Sequence, residues 1–241
     1  MKPNPKPQPI PYNKSVDISS MPDRIRRLPV SPTGYPVPWF VEWFKDGASC
    51  KSGEGIPDFR IVDSRKMIKA LRQHQCWVCG DAMGVHKCFV IGPMCAVNRV
   101  NAEPPTHRDC AIWSARNCPF LSKPNMVRNE NGMNDENGKP VFDPPAGHGL
   151  KRNPGVACVW NTKSYQIFRP HDGNDGILFS LGKPIEVLWL ASGRQATRQE
   201  VMASIESGYP ELLTVAKSEG PDAVAALATK REAAMKLLPD A

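Results

Sequence analysis

Residues 76–118 read CWVCGDAMGVHKCFVIGPMCAVNRVNAEPPTHRDCAIWSARNC. Two pairs of metal-ligating side chains lie in this stretch, Cys76 with Cys79 and His107 with Cys110, separated by residues 80–106. The first is a Cys-x-x-Cys pair at the end of an expected helix. The second follows Pro104-Pro105-Thr106, and Thr106 with Asp109 forms a Thr-x-x-Asp start signal that predicts a helix from His107. Residues three apart on a first helical turn share a face. Two thiols on a tight knuckle, with an imidazole and a thiol at a helix start, suit a tetrahedral ion that prefers nitrogen and sulfur, namely structural Zn²⁺. Cys76, Cys79, His107 and Cys110 leave no open position on such an ion. Cys88, Cys95 and Cys118 are close enough in sequence to replace one of them.

Working outward, the chain has 241 residues, 41% apolar and 23% charged, the balance of an ordinary globular protein. Its 25 prolines imply many extended connections. The N-terminus, MKPNPKPQPIPYNKS, lacks the apolar core of a signal peptide. No run reaches the roughly 18 apolar residues of a membrane span. A reducing cytoplasm is therefore expected, the host cytoplasm if the chain is phage-encoded, and there Cys-x-x-Cys means metal rather than disulfide. The net charge of +7 is concentrated in residues 1–75, where 13 Lys and Arg face 7 Asp and Glu. A basic front third suits a polyanionic partner such as nucleic acid.

The expected class is α+β. Residues 1–33 read as an extended, basic, Pro-rich arm carrying Arg24, Arg26 and Arg27. Residues 34–121 read as a hairpin, a helix and the metal-binding module. The hairpin pairs VPWFVEWF (37–44) with a strand around 59–62. Asp63 caps a helix from Ser64 to about His74, with Lys66, Lys69 and Arg72 off its apolar stripe. Lys87–Ile91 reads as a strand, Met94–Val100 as a second strand or turn, and Pro119 ends the helix begun at His107 near Asn117. Residues 122–150 form a polar loop. In 151–241, which can share a domain with 34–121, four strands (156–160, 164–168, 177–181, 185–190) form an antiparallel meander, with a turn at HDGNDG (171–176). Helices close the chain: one from Thr197 to about Ser207 stopped by Gly208, one from Pro210 to Gly220, and one from Pro221 to about Leu238.

The order of knuckle, hairpin and ligand-bearing helix resembles the treble-clef zinc fingers over about 45 residues. That resemblance implies a zinc-organised frame and no particular activity. A second pattern, His86, Asn98 and His107 in that order, resembles HNH endonucleases and implies a metal-dependent nuclease with His86 and Asn98 as catalytic residues. The chain departs from it where Val85 and Ala111 stand in place of the expected Asp and His. Cys95, near Arg99, is a candidate nucleophile. The lone histidines His148 and His171 read as surface loop residues. The strings CWVCG, FVIGPMCAVNR, EPPTHRDC and CPFL are similar to a group of uncharacterised small phage and prophage zinc proteins.

These readings lead to a non-enzymatic, zinc-stabilised protein that contacts nucleic acid or a host nucleic-acid-handling protein. Arg24, Arg26, Arg27, Lys66, Lys69, Arg72, Arg108 and Arg116 are the expected contact residues. The alternatives are an HNH-like nuclease and an inhibitor module acting on a host protein. Neither a membrane nor a small-molecule substrate is expected.

Overall fold

A computed structural model describes residues 10–123, 126–127, 129–137, 141–142, 154–169 and 176–240. Residues 1–9 of the expected arm, much of the 122–150 loop including His148, and residues 171–175 of the expected turn, His171 among them, lie outside the described residues.

Helix α1 is one turn, Asp23–Arg26. Strand β1 (Val41–Lys45) turns through Asp46-Gly47 into β2 (Ala48–Cys50). Both turn residues have positive φ, 51° and 79°, the twist a two-residue hairpin needs. On its other side β1 pairs antiparallel with β3 (Ile56–Val62), giving the expected hairpin partner plus a third strand. Helix α2 (Ser64–Gln73) starts on Asp63, whose carboxylate accepts from the Arg65 N–H, and ends on His74 in the left-handed region.

Strand β4 (Lys87–Ile91) is where expected. Beyond it the chain forms a helix, α3 (Pro93–Asn98), instead of a second strand. Pro93 occupies its first turn, where a missing N–H costs nothing, and Met94, Ala96 and Val97 are buried. After the short strand β5 (Val100–Asn101), helix α4 (Arg108–Asn117) and one turn, α5 (Pro119–Ser122), follow.

The last strands are β6 (Ala157–Thr162), β7 (Tyr165–Phe168), β8 (Leu178–Leu181), β9 (Pro184–Ala191) and β10 (Arg194–Gln195). All pair antiparallel, and β7 pairs with β8 as expected, but β6 and β9 pair with each other in a different sheet, the orders being β10-β9-β6-β4 and β5-β8-β7. Burial explains the departure from a meander. Every residue of β6 is buried, so it needs strands on both edges and layers on both faces; β7 is largely exposed and stays at an edge. Side chains alternate across the larger sheet. Phe89, Ile91, Cys158, Trp160, Trp189 and Ala191 face a core shared with α3 and the C-terminal helices. Cys88, Ala157, Val159 and Leu190 face Ala111 and Ala115 of α4.

The C-terminal helices are two rather than three: α6 (Arg198–Glu219) and α7 (Pro221–Met235). Thr197 and Glu200 form the expected capping box. Gly208 does not stop α6, because it is buried where the helix crosses Met94; an added Cβ would lie 2.8 Å from the Met94 sulfur. Pro210 sits inside the same helix. The carbonyl it deprives of a partner belongs to exposed Glu206, where water can reach it. Among the described residues no helix is long and apolar enough to cross a membrane.

Candidate metal centre

The knuckle is assembled by backbone bonds. His74, in the left-handed region, turns the chain out of α2, and Gln75 bridges Ala82 across the loop. Cys76 N–H donates to the Asp81 carbonyl, and Gly80 N–H to the Cys76 carbonyl, both at 2.8 Å. The second pair is delivered by β4. Cys88 and Thr106 exchange backbone bonds of 3.0 and 2.7 Å, which sets His107 at the start of α4, one turn before Cys110. His107 is the N-cap itself, without a side-chain cap bond, so the predicted capping box does not form. The Thr106 hydroxyl lies 2.7 Å from the Cys76 sulfur instead.

One ligand atom from each of Cys76, Cys79, His107 and Cys110 falls within 4.8 Å of the others. In a tetrahedral zinc–thiolate site the ligand atoms stand roughly 3.8 Å apart, so the set fits with little adjustment. His107 Nε2 lies 3.1 Å from the Ala82 carbonyl and Nδ1 lies 3.4 Å from Cys79 Sγ. A proton on Nε2 donated to that carbonyl leaves the Nδ1 lone pair for a metal. Cys76 Sγ also accepts from the N–H groups of Cys79 (3.5 Å) and His107 (3.4 Å).

As titrating groups the four share protons. Burial alone would raise the Cys76 thiol, but hydrogen bonds from Cys110, Cys79, His107 and Thr106 outweigh it and hold the thiol well below its ordinary value. Cys110 is raised by its hydrogen bonds to Cys76 and Cys79, and by burial. His107 is pushed up to about 10 by hydrogen bonding to the Cys76 and Cys79 sulfurs. A dication displaces these protons, and binding is accordingly coupled to proton release. Nearby, Arg24 pairs with Asp109 at 3.1 Å, and Arg27 with Asp81 at 2.8 Å. Arg24 also interacts electrostatically with Cys110 and Cys79.

No family model, curated protein or solved structure matches the chain.

Cys88, Cys95 and Cys118 lie outside the cluster. Burial, with Glu186 adding, pushes the Cys88 thiol up to about 12, and burial pushes Cys95 up to about 11. Cys118 is raised by burial as well. A thiol of that kind is a poor nucleophile at neutral pH, which argues against Cys95 in that role. The HNH residues are dispersed among other duties. His86 is exposed just before β4, Asn98 Oδ1 accepts from Lys230 Nζ at 3.3 Å, and both His107 nitrogens are engaged. Among the described residues, the Cys3His set is the only converging group of three or more His, Cys, Asp or Glu side chains.

Most of the expected contact cations are used within the fold. Lys66 is largely buried, donating to the Val41 carbonyl (3.0 Å) and the Ser52 hydroxyl (2.9 Å) beside Asp63. Arg108 makes a two-pronged bond to Glu186 on β9. Arg26 donates to the Ile18 carbonyl at 3.1 Å and faces Asp23. Lys69, Arg72 and Arg116 are exposed and have no ion-pair partner among the described residues. Arg65, absent from the expected set, joins Lys69 and Arg72 at i, i+4 and i+7 on the outer face of α2, although it also clamps Asp63 and Glu42. Its spacing was the available signal.

Proposed function

We propose that the protein is a non-enzymatic binding protein, of the phage type its cysteine strings resemble, built on a structural zinc site of treble-clef character. A knuckle, a strand bridged to the segment before the second ligand pair, and a helix opening on that pair is the element order such a site requires. The observation that carries the reading is the closed donor set: three thiols and one imidazole converge and leave a tetrahedral ion no position for substrate. Nucleic acid is the partner that the exposed cations favour. Arg65, Lys69 and Arg72 line one face of α2, and that helix runs directly into the knuckle, so the metal gives the basic row a rigid mount. Contacts from such a row go to phosphates and carry little sequence preference.

The test is salt-dependent binding of labelled DNA and RNA. Three phosphate contacts give a log–log slope of about −3 on duplex DNA. Lys69→Glu with Arg72→Glu abolishes binding at physiological salt and leaves metal content unchanged. Binding that ignores both salt and these substitutions rejects the nucleic-acid part. A protein partner is the second reading, favoured by Ile68, which is half exposed inside the basic row. In that case Ile68→Asp weakens capture more than Lys69→Glu does.

A further inference from the structure

Residues 10–36 contain only the single turn α1 and the isolated bridge between Val30 and Pro36. Segments with so little regular structure do not hold a fixed path without tertiary anchors. Yet Ile25 is only 1% exposed, and Val16 and Met21 are buried with it. They do not reach the main core between the sheets and the C-terminal helices. Their cluster is completed by Cys76, Val78, Cys79, Cys110 and Trp113, that is, by the metal centre and its immediate walls. Residues 10–33 are thus a docked segment and not the extended arm that composition implies.

The polar anchors converge on the same two pieces. Arg27 pairs with Asp81 on the knuckle. Arg24 pairs with Asp109, next to Cys110 on α4. The Asp17 carbonyl accepts from the Trp113 indole at 3.0 Å, and the Asp17 N–H donates to Asn117 Oδ1 at 2.7 Å, both further along α4. One of these anchors is on the knuckle and three are on α4, and the four ligands join those two pieces. If the knuckle and α4 shift apart, no single position of the segment satisfies both sets.

We infer that residues 10–36 form a strap whose docking depends on the bound metal, and which in return seals the thiolates from chelators and oxidants. The inference rests on the metal-centre half of the proposed function and is independent of nucleic-acid binding. Linkage makes the dependence reciprocal: an ion that favours the docked strap is itself held more tightly by it.

Limited trypsin digestion of the full chain tests the first half, with cleavage followed site by site by mass spectrometry. Arg24, Arg26 and Arg27 are reporters within the strap; Lys217 and Lys230 on α6 and α7 are reporters in the distant core. When opening is fast, cleavage tracks the open population, so stripping the metal speeds strap cleavage by about tenfold or more. The α6 and α7 sites keep their rates, and added Zn²⁺ restores protection. Unchanged strap cleavage, acceleration at all sites together, or a protein that takes up no metal overturns the inference.

Metal transfer to a coloured chelator tests the second half. Ile25→Ala and Arg24→Ala speed transfer several-fold, whereas Arg24→Lys, which keeps the charge opposite Asp109, recovers much of the slow release. Ile25→Ala removes packing beside the site and Arg24→Ala removes a charge acting on Cys110 and Cys79, so Asn117→Ala, which cuts the anchor to the Asp17 N–H further along α4, is the variant that decides. Transfer at the wild-type rate in Asn117→Ala overturns the sealing role.

Discussion

At the scale of single residues, Gly80 shows how tightly the knuckle is built. Its φ of +80° is a left-handed value that glycine adopts freely, and an added Cβ would lie 2.8 Å from the Trp39 ring. Gly80→Ala therefore combines backbone strain of about 1–2 kcal/mol with displacement of an indole. The expected result is a lower melting temperature with the metal bound, and faster metal loss, both measurable by calorimetry and chelator competition. Thr106 makes a second prediction. Its hydroxyl is the closest polar neighbour of the Cys76 sulfur. Hydrogen-bond partners of a metal ligand are worth about 10–100-fold in metal affinity, so Thr106→Val weakens metal binding within that range while the shape of the side chain is kept. An affinity equal to wild type rejects the role. The ligands themselves were legible, because metal spacing is a local pattern. The partner of Thr106 was not, since Cys76 lies thirty residues away and the nearer Asp109 offered a plausible alternative.

Among elements, α2 depends on a charge cluster at its start. Asp63 caps the helix and faces Arg65 and Lys66, with buried Glu42 beside them. Burial opposes ionisation of Asp63, yet the bond from Arg65 and the charges of Lys66 and Arg65 prevail and hold its carboxyl below the ordinary value. Burial pushes the Lys66 ammonium down, and Asp63 only partly offsets this. Asp63 thus keeps its own charge through Arg65 as well as Lys66. A carboxylate with a depressed folded pKa stabilises the protein above its unfolded value of about 3.9, and that contribution is lost as pH falls through the folded value. Asp63→Ala removes a cap worth about 1 kcal/mol, and more by leaving Lys66 without its carboxylate. Denaturant midpoints measured from pH 7 to pH 3 check this: the gap between wild type and variant is full at neutral pH and shrinks below about pH 4. A gap independent of pH rejects the ionic part. The element was legible because Asp63 precedes an amphipathic run. Helix α3 was not, because Gly92-Pro93 signals a strand end and a helix start equally well, and burial of Met94 and Val97 decides between them.

For the whole molecule, the decisive feature is that strands from both halves of the sequence share one sheet. The positions of β6, β7, β8 and β9 could be read from alternation and turn residues, but their neighbours could not. Pairing depends on which strand is apolar on both faces, and β6 was recognisable only as one strand among four. In the structure β6 lies between β4 and β9, with Phe89 opposite Trp160 and Trp160 opposite Val187. Helix α4 uses one stripe, Cys110 with Trp113, for the metal centre, and another, Ala111 with Ala115, for that sheet. Arg108, at its start, is tied to Glu186 on β9. A metal ion at the cluster is therefore expected not to fold the front half by itself, unlike a small finger that folds on metal binding. Residues 10–123 expressed alone would expose Phe89, Ile91 and the alanine stripe of α4, and would leave β4 without its partner strand. With one equivalent of Zn²⁺, that fragment is expected to bind the ion through four ligands yet show poorly dispersed amide resonances. Supplying residues 154–240 as a second chain restores dispersion, because the missing component is a strand and its apolar layer rather than a ligand. A fragment that folds cooperatively with zinc by itself would place the two halves in separate folding units and reject this dependence.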